Sequence, residues 1–363
     1  MPFLLLDDPT LRHPLRGRGD PVRQFLIADW RWPIGVTAMV LVAIALALAL
    51  NIGGAPFAAG SQPVGRVYRI GVLEAVPATQ NAANLGALHK GLHGLGYVEG
   101  QNLVIEYRSA EGHAERFPEL AAELVHLKVD LIVARGTPAA RAAKGATETI
   151  PVVMATMGDP HPTVANFAHP GGNVTGMTTY STELIGKRLE LLKEMVPHLS
   201  GVALLHNMGN PAVPLEWEET KRAARALGVQ AELLDVRSQA GLSRALDRAI
   251  RQRIDGVLIG ADGLMQMHQH AIVEWAARNR LPAAYPARDF VEAGGLMAYA
   301  VSYPELYARF ARFIDRIFKG AKPGDLPIEQ PTKFEMVINL TTAKALGLTI
   351  PQSVLIRADE VIR

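Results

Sequence analysis

The sequence predicts an α/β fold of two successive lobes, each a doubly wound parallel sheet, joined by hinge crossovers. Short apolar segments alternate with amphipathic segments of about 10–15 residues, the pattern of strand–helix–strand units around a parallel sheet. The alternation restarts after "PGGNVTGMTTY", residues 170–180. At 363 residues, the chain is also long enough for two ordinary domains.

The first lobe begins at Val67 with the strand pattern "VYRIGVLEAV". It continues through helix "NAANLGALHKGLHGLG", strand "NLVIEYRSA", helix "FPELAAELVHLKV", strand "DLIVARG", helix "TPAARAAKGATET" and strand "PVVMATMG". The strands are short apolar runs, which are typical of strands buried on both faces of a sheet.

The second lobe repeats this pattern. Its elements are helix "STELIGKRLELLKEMV", strand "GVALLHNM", helix "EWEETKRAARALG", strand "VQAELLDVR", helix "LSRALDRAIRQR", strand "DGVLIGAD", helix "LMQMHQHAIVEWAARNR" and strand "LPAAYPA". Three segments are predicted to cross between lobes: "VTGMTT", "AGGLMAYAVS" and "PTKFEMVINL". We therefore assign residues 66–178 and about 296–328 to the first lobe, and 179–295 and about 329–363 to the second.

Residues 1–60 are predicted to be an export segment. Arginines precede the charge-free run Ile34–Leu50, and small residues follow it. This arrangement is typical of a secretory signal, so we favour cleavage near residue 60 and a periplasmic location. The alternative is an uncleaved membrane anchor, because an apolar run of 17 residues is near the lower limit for a membrane span.

The composition excludes several classes of chemistry. The chain has no cysteine, which excludes disulfides, thiolate metal sites and cysteine nucleophiles. The net charge of +2 and the lack of a basic block argue against nucleic acid as a partner. His268 and His270 lie two residues apart on a predicted helix and make a poor metal pair. Since no G-x-S-x-G motif is present and "GLHGLG" lies at a helix end, we predict no catalytic residue, metal or cofactor.

Ligands of open α/β sheets bind beyond the carboxyl ends of the strands. In the first lobe, Thr79, Thr137 and Asp159 follow three predicted strands near helix starts. Helix N-termini attract anions, so these positions suit a carboxylate. Simple capping of the helices is the alternative for Thr137 and Asp159.

The second lobe offers polar side chains at the corresponding ends. Asn207 and Asn210 follow its first strand, Asp262 follows "GVLIGA", and Tyr285 lies in "LPAAYPA". Asp262 is either a binding carboxylate or a turn residue. We predict that the ligand is amino-acid-like or another carboxylate, with its anionic end at Thr79 and Thr137. Asp159 or Asp262 would hold an amine, and Tyr285 would form an apolar wall.

The stretch "PGGNVTGMTTYSTELIGKRLELLKEMVPHLSGVALLHN" resembles the central signature of the ABC-transporter substrate-binding family that includes tryptophan and tyrosine binders. Also similar are "GLGYVEGQNLVIEYRSAEG", "GGLMAYAVSYPEL" and the closing "GAKPGDLPIEQPTKFEMVINLTTAKALGLTIPQSVLIRADEVI". The resemblance spans about residues 66–363. It implies a class I periplasmic-binding-protein fold with one small-molecule ligand in the cleft, and an inner-membrane ABC permease with its ATPase as partners.

Three classes of function are open to such a chain. We favour the solute-binding component of an importer, acting as a monomer. A ligand-sensing regulator or receptor would need a helix-turn-helix or a signalling domain, and an export segment occupies the place of the first. A two-domain α/β enzyme would need a convergent nucleophile and base, which the sequence does not indicate.

Overall fold

The computed structural model describes residues 66–158, 164 and 166–363, which belong to one compact unit spanning Gly65–Arg363. The predicted export segment, residues 1–60, lies outside the described residues. The unit contains one sheet of five strands and one of seven, each flanked by helices. The predicted α/β class with two doubly wound lobes is therefore confirmed. In the described part of the chain, no helix combines the length and apolar character needed to cross a membrane.

The first lobe is built on a parallel sheet with the strand order β2-β1-β3-β4-β5. Its strands are β1 (Tyr68–Glu74), β2 (Leu103–Ser109), β3 (Leu131–Arg135), β4 (Val152–Met157) and β5 (Val174–Thr178). The helices that follow the first three strands are α1 (Ala82–His93), α2 (Phe117–His126) and α3 (Gly136–Ala146).

Both faces of this sheet are buried. Ile70 and Val72 of β1 belong to the apolar cluster with α1, whereas Leu73 belongs to the cluster with α2 and α3. Successive side chains of a strand point to opposite faces, so a strand covered by helices on both sides must be apolar throughout. This explains why the strand "RIGVLE" has no polar alternation.

The second lobe is built on a seven-stranded sheet with the order β12-β11-β10-β9-β8-β6-β7. Its strands are β6 (Gly201–His206), β7 (Gln230–Asp235), β8 (Gly256–Ile259), β9 (Ala283–Tyr285), β10 (Met297–Val301), β11 (Phe334–Asn339) and β12 (Glu360–Ile362). Neighbouring strands pair in parallel except β10 and β11, which are antiparallel.

The helices of the second lobe cover both faces of this sheet. In chain order they are α4 (Ser181–Met195), α5 (Val213–Leu227), α6 (Gln239–Arg251), α7 (Gly263–Met267), α8 (Gln269–Arg278), α9 (Arg288–Glu292), α11 (Leu340–Ala345) and α12 (Gln352–Leu355). The single helix predicted for "LMQMHQHAIVEWAARNR" is two helices, α7 and α8. They are separated at His268, where the backbone leaves helical geometry with φ −105° and ψ 21°.

The remaining helix, α10 (Tyr303–Phe318), follows β10 and returns to the first lobe. It packs against α1, and Leu306 and Phe310 join the cluster that contains Ile70. The prediction that residues 296–328 belong to the first lobe is wrong for its opening part. Met297–Val301 is a strand of the second sheet, paired with β9 and β11, so the chain changes lobe only at the start of α10.

The other two crossovers lie beside one another. β5 ends at Thr178, and α4 of the second lobe begins at Ser181 after Tyr180, which has the left-handed conformation φ 53°. Glu329, on the return path to β11, makes a parallel bridge to Met177 at the edge of the first sheet. The third crossover is therefore the segment before Phe334, and "FEMVIN" itself is β11 of the second sheet.

Candidate ligand-binding site

A cavity lies between the two lobes, at the carboxyl ends of the strands of both sheets. It encloses about 820 Å³ of space, including its opening to solvent. The first lobe contributes residues that follow β1, β3, β4 and β5, and the second contributes residues that follow β6, β8, β9 and β10. This is where the topology of an open α/β sheet places ligands.

The most prominent charge in the cavity is Arg135, the last residue of β3. Its side chain is only 14% exposed and lies 3.6 Å from the carboxylate of Glu74. The guanidinium carbon lies 4.7 Å from the centre of the Tyr303 ring, a cation–π contact. Within the described residues, none of the guanidinium N–H groups of Arg135 donates a hydrogen bond. Arg135 is thus a mostly buried cation with unused donors that face the cavity.

Glu74, the last residue of β1, supports Arg135 from behind. It is fully buried, and it accepts hydrogen bonds from the Tyr307 hydroxyl and from Asn81 Nδ2, the latter at 3.0 Å. Burial raises the pKa of Glu74, while Arg135 acts in the opposite direction. Burial alone would lower the pKa of Arg135, but Glu74 and nearby tyrosines outweigh burial and raise it. The guanidinium therefore stays charged in the cleft.

A second buried group faces the cavity from α5. Glu216 is 1% exposed, and its Oε1 accepts a hydrogen bond from Ser181 Oγ at 2.7 Å, while its Oε2 lies 2.9 Å from His206 Nε2. The backbone N–H of Asn207 donates to His206 Nδ1, which leaves the ring proton on Nε2, facing Glu216. Burial alone would raise the pKa of Glu216, but His206, Ser181 and Arg188 together lower it.

Three of the predicted polar residues form one network. Asn210 Nδ2 donates to Asp262 Oδ2 at 2.9 Å, and Asn207 Nδ2 lies 3.5 Å from Asp262 Oδ1. Asp262 also accepts the backbone N–H of Leu264 at 2.9 Å and is the N-cap of α7. All three residues line the cavity, and the carboxylate of Asp262 is engaged as a helix cap.

Thr137 lines the cavity and is buried, but it is not the helix cap that its sequence predicts. α3 begins one residue earlier, at Gly136, and Arg135 occupies the N-cap position without a side-chain hydrogen bond. The Thr137 hydroxyl has no hydrogen-bond partner within the described residues, so it remains available to a ligand. Asp159, the corresponding prediction after β4, lies outside the described residues.

Two predicted residues lie away from the cavity. Thr79 is exposed beyond β1, and Ala75 and Val76 line the cavity in its place. Tyr285 is 1% exposed, belongs to the core of the second lobe, and stacks on Phe290 at 5.2 Å. β9 is apolar on both faces, so its sequence does not tell which face its last side chain takes. The expectation of an aromatic wall from Tyr285 is therefore wrong.

The two lobes touch at the rim of the cavity. A Cβ atom placed on Gly263 would lie 2.2 Å from Ala75 Cβ of the first lobe. Gln80 Nε2, also of the first lobe, lies 3.4 Å from the carbonyl oxygen of Gln266. Deeper in the cleft, a Cβ on Gly158 would lie 2.5 Å from Ser181 Oγ. Glycine at these positions allows the backbones to approach closely.

Arg135, Glu216 and Tyr303 line the cavity but are not among the site residues predicted from the sequence. Arg135 was assigned to the predicted strand "DLIVARG", yet a charge at the carboxyl end of an apolar strand is itself a signal for the cleft. Glu216 is the first residue of the helix predicted for "EWEETKRAARALG", whereas the helix begins at Val213. Pro214, which suits the first turn of a helix, was the available signal.

Comparison with known proteins identifies the family. The family model described as ABC transporter substrate binding protein matches residues 69–362. A tyrosine-binding protein of Clostridioides difficile is 26% identical over 261 residues, which cover 71% of this chain and 75% of that protein.

Two solved structures are similar over 82% of this chain and 100% of their own, each at 28% identity. One is a conserved domain protein from Vibrio cholerae, with a TM-score of 0.77. The other is an ABC domain from Streptococcus pneumoniae in complex with L-Trp, with a TM-score of 0.74. The family resemblance predicted from the sequence is confirmed: the chain belongs to the ABC transporter substrate-binding protein family.

Proposed function

We propose that this protein is the exported solute-binding component of an ABC importer. It captures a small carboxylate-bearing molecule, such as an amino acid, between its lobes and delivers it to an inner-membrane permease and its ATPase. Membership of a family of substrate-binding proteins supports the binding role. The names of two relatives, a tyrosine-binding protein and a complex with L-Trp, support an amino acid as ligand.

Arg135 is the single observation that carries the ligand class. A buried guanidinium with unused N–H donors is costly unless an acceptor meets it. A carboxylate accepts two parallel hydrogen bonds from a guanidinium, which makes it the matching partner. The free hydroxyl of Thr137 and the N-terminus of α3 lie next along the chain and favour the same anion.

The remaining walls suit an apolar portion of the ligand. Phe117 and Leu264 line the cavity from opposite lobes, and the Tyr303 ring lies beside Arg135. Such a combination of apolar walls and a few polar groups fixes both the affinity and the orientation of a small ligand. We propose that the lobes close over the ligand by bending at the three crossovers.

The proposed location is the periplasm, with the signal removed near residue 60 and the mature protein acting as a monomer. The basic and apolar pattern of the first 60 residues supports export. Mass spectrometry of the exported protein tests this part of the proposal. An intact N-terminus in the membrane fraction would favour the anchor.

The ligand assignment is tested by identifying the molecule that co-purifies with the protein and by titrating it in a calorimeter. Arg135→Gln should weaken binding by about 10–150-fold, because a hydrogen-bonded pair of charges contributes about 1.5–3 kcal/mol. Arg141→Gln, exposed on α3, which follows Arg135, is the matched control and should bind like wild type. Equal affinity of Arg135→Gln and wild type would place the carboxylate elsewhere.

A further inference from the structure

We infer that the cleft selects a ligand with an ammonium group as well as a carboxylate, and that Glu216 accepts the ammonium. This inference rests on the proposed function and assigns the second charge of the same ligand. A zwitterionic amino acid meets the requirement, whereas a plain carboxylate or an uncharged polyol does not. The inference stands on the burial of Glu216, its hydrogen bonds and the charges of the cavity wall.

Glu216 is an ionised group with little access to bulk water. It lines the cavity at 1% exposure, and its partners together hold the pKa of its carboxyl below the ordinary value despite burial. No lysine or arginine nitrogen of the described residues lies within ion-pair distance of it, and only His206 does. His206 accepts a backbone N–H on Nδ1 and faces Glu216 with Nε2; burial alone would lower the pKa of this imidazole, but Glu216 outweighs burial and raises it.

The carboxylate of Glu216 has room for a further donor. Two carboxylate oxygens provide about four acceptor positions. Ser181 and His206 fill one on each oxygen, and both hold the carboxylate in a fixed orientation at the cavity wall. Gly158 has no side chain beside this oxygen, where an added Cβ would lie 3.6 Å from Glu216 Oε1. A compact ammonium with three donors suits the remaining positions.

The balance of charge in the cavity favours a cationic group on the ligand. Among the described residues that line it, Arg135 is the only full positive charge, while Glu216 and Asp262 are negative. Glu74 already lies against Arg135 from behind. A ligand with only a carboxylate would add a negative charge to walls that are already negative, whereas a zwitterion adds none.

Asp262, the other candidate for the ammonium, is less suited to it. Its carboxylate accepts from Leu264 N and Asn210 Nδ2 at 2.9 Å each, and Asn207 Nδ2 lies 3.5 Å away. These bonds fix the start of α7 and the loop after β6. Glu216 accepts from fewer donors and is more deeply buried, so it keeps free acceptor positions in a part of the cavity with little water.

The test compares amino acids with analogues in which hydrogen replaces the amine, titrated by calorimetry into the wild-type protein. The panel is the twenty standard L-amino acids, with 3-phenylpropionate, 3-(4-hydroxyphenyl)propionate and indole-3-propionate as the matched carboxylates. We expect at least one amino acid to bind, and its amine-free analogue to bind at least about 30-fold more weakly, the size expected when a buried charge loses its partner. This comparison needs no variant.

Glu216→Gln then identifies the residue, with Glu218→Gln, exposed on the same helix, as control. Glu216→Gln should weaken the amino acid strongly but leave the analogue unchanged, and the control should change neither. An analogue that binds wild type as tightly as the amino acid overturns the inference, as does an equal loss for both ligands in Glu216→Gln. If carboxylates bind and amino acids do not, the ammonium site is wrong and the carboxylate site stands. If neither class binds, the proposed function itself fails.

Discussion

Substitution of Gly263 by alanine should hold the two lobes apart without harming either one. Gly263 is the first residue of α7 and faces Ala75 across the rim of the cleft. Its φ angle is not in the positive range, so an alanine can adopt its backbone without strain. The helix that it begins tolerates alanine well. The conflict therefore arises only where the lobes meet.

The size of the effect follows from one distance. The new Cβ would lie 2.2 Å from Ala75 Cβ, whereas two carbon atoms in contact need about 3.5–4.0 Å. The rim must open there by about 1.5 Å, or the lobes must repack. Overpacking of this kind costs about 1–3 kcal/mol, and it falls on the arrangement in which the two lobes are in contact. Ligand affinity should therefore fall about 5–150-fold, while the melting temperature of the ligand-free protein changes little.

Calorimetry with the co-purified ligand measures the affinity, and small-angle X-ray scattering measures whether the particle becomes compact on binding. Gly145→Ala is the matched control, because this exposed helical glycine has no atom within 4 Å of an added Cβ. Unchanged affinity and unchanged compaction in Gly263→Ala would show that the lobes do not meet at this point when ligand is bound, and would refute the reasoning.

Two further predictions concern stability. Tyr285→Ala should lower the free energy of unfolding by about 3–5 kcal/mol in urea titrations, because it empties a core position. Tyr285→Phe should leave ligand binding unchanged, because the side chain lies in the core. A tenfold loss of affinity in Tyr285→Phe would instead place the ring in the cleft. The folded state holds the pKa of Glu216 below its ordinary value of 4.5, so the unfolded chain takes up the proton first as the pH falls. The stability from this carboxylate is present above pH 4.5 and is lost as the pH falls through the folded pKa. Wild type should therefore lose more stability than Glu216→Gln between neutral pH and about pH 3.5, and equal losses would contradict this.

The elements of the fold could be predicted because burial on both faces gives the strands a continuous apolar pattern. The same property limits what can be predicted of the site. A strand without polar alternation does not indicate the face that its last residue takes, which is why Tyr285 was assigned to the cleft and Arg135 was not. Asn207 and Asp262 could be placed because both follow strand ends, where topology alone brings loops together.

Other features depend on contacts between distant parts of the chain. Glu216 lies in a helix rich in charged residues, and periodicity assigns charges to the solvent side. Its burial is set by His206, ten residues earlier, and by Ser181 at a crossover. Residues 297–301 belong to the second lobe and not to the predicted first lobe for a similar reason. The sequence "AGGLMAYAVS" indicates a turn followed by an extended segment, but it does not indicate which sheet that segment joins.

The position of α10 has a consequence for the order in which the protein folds. The first sheet is complete in sequence at Thr178, but its apolar face against α1 is covered by a helix that begins only at Tyr303. During synthesis, α1 is made early, but the part of that face that α10 covers stays exposed until most of the chain has been made. Contacts so distant in sequence also slow folding, because a long loop must close before they form. The chain therefore has a long interval on the ribosome in which neither its first sheet nor the helix that seals it can reach the native state.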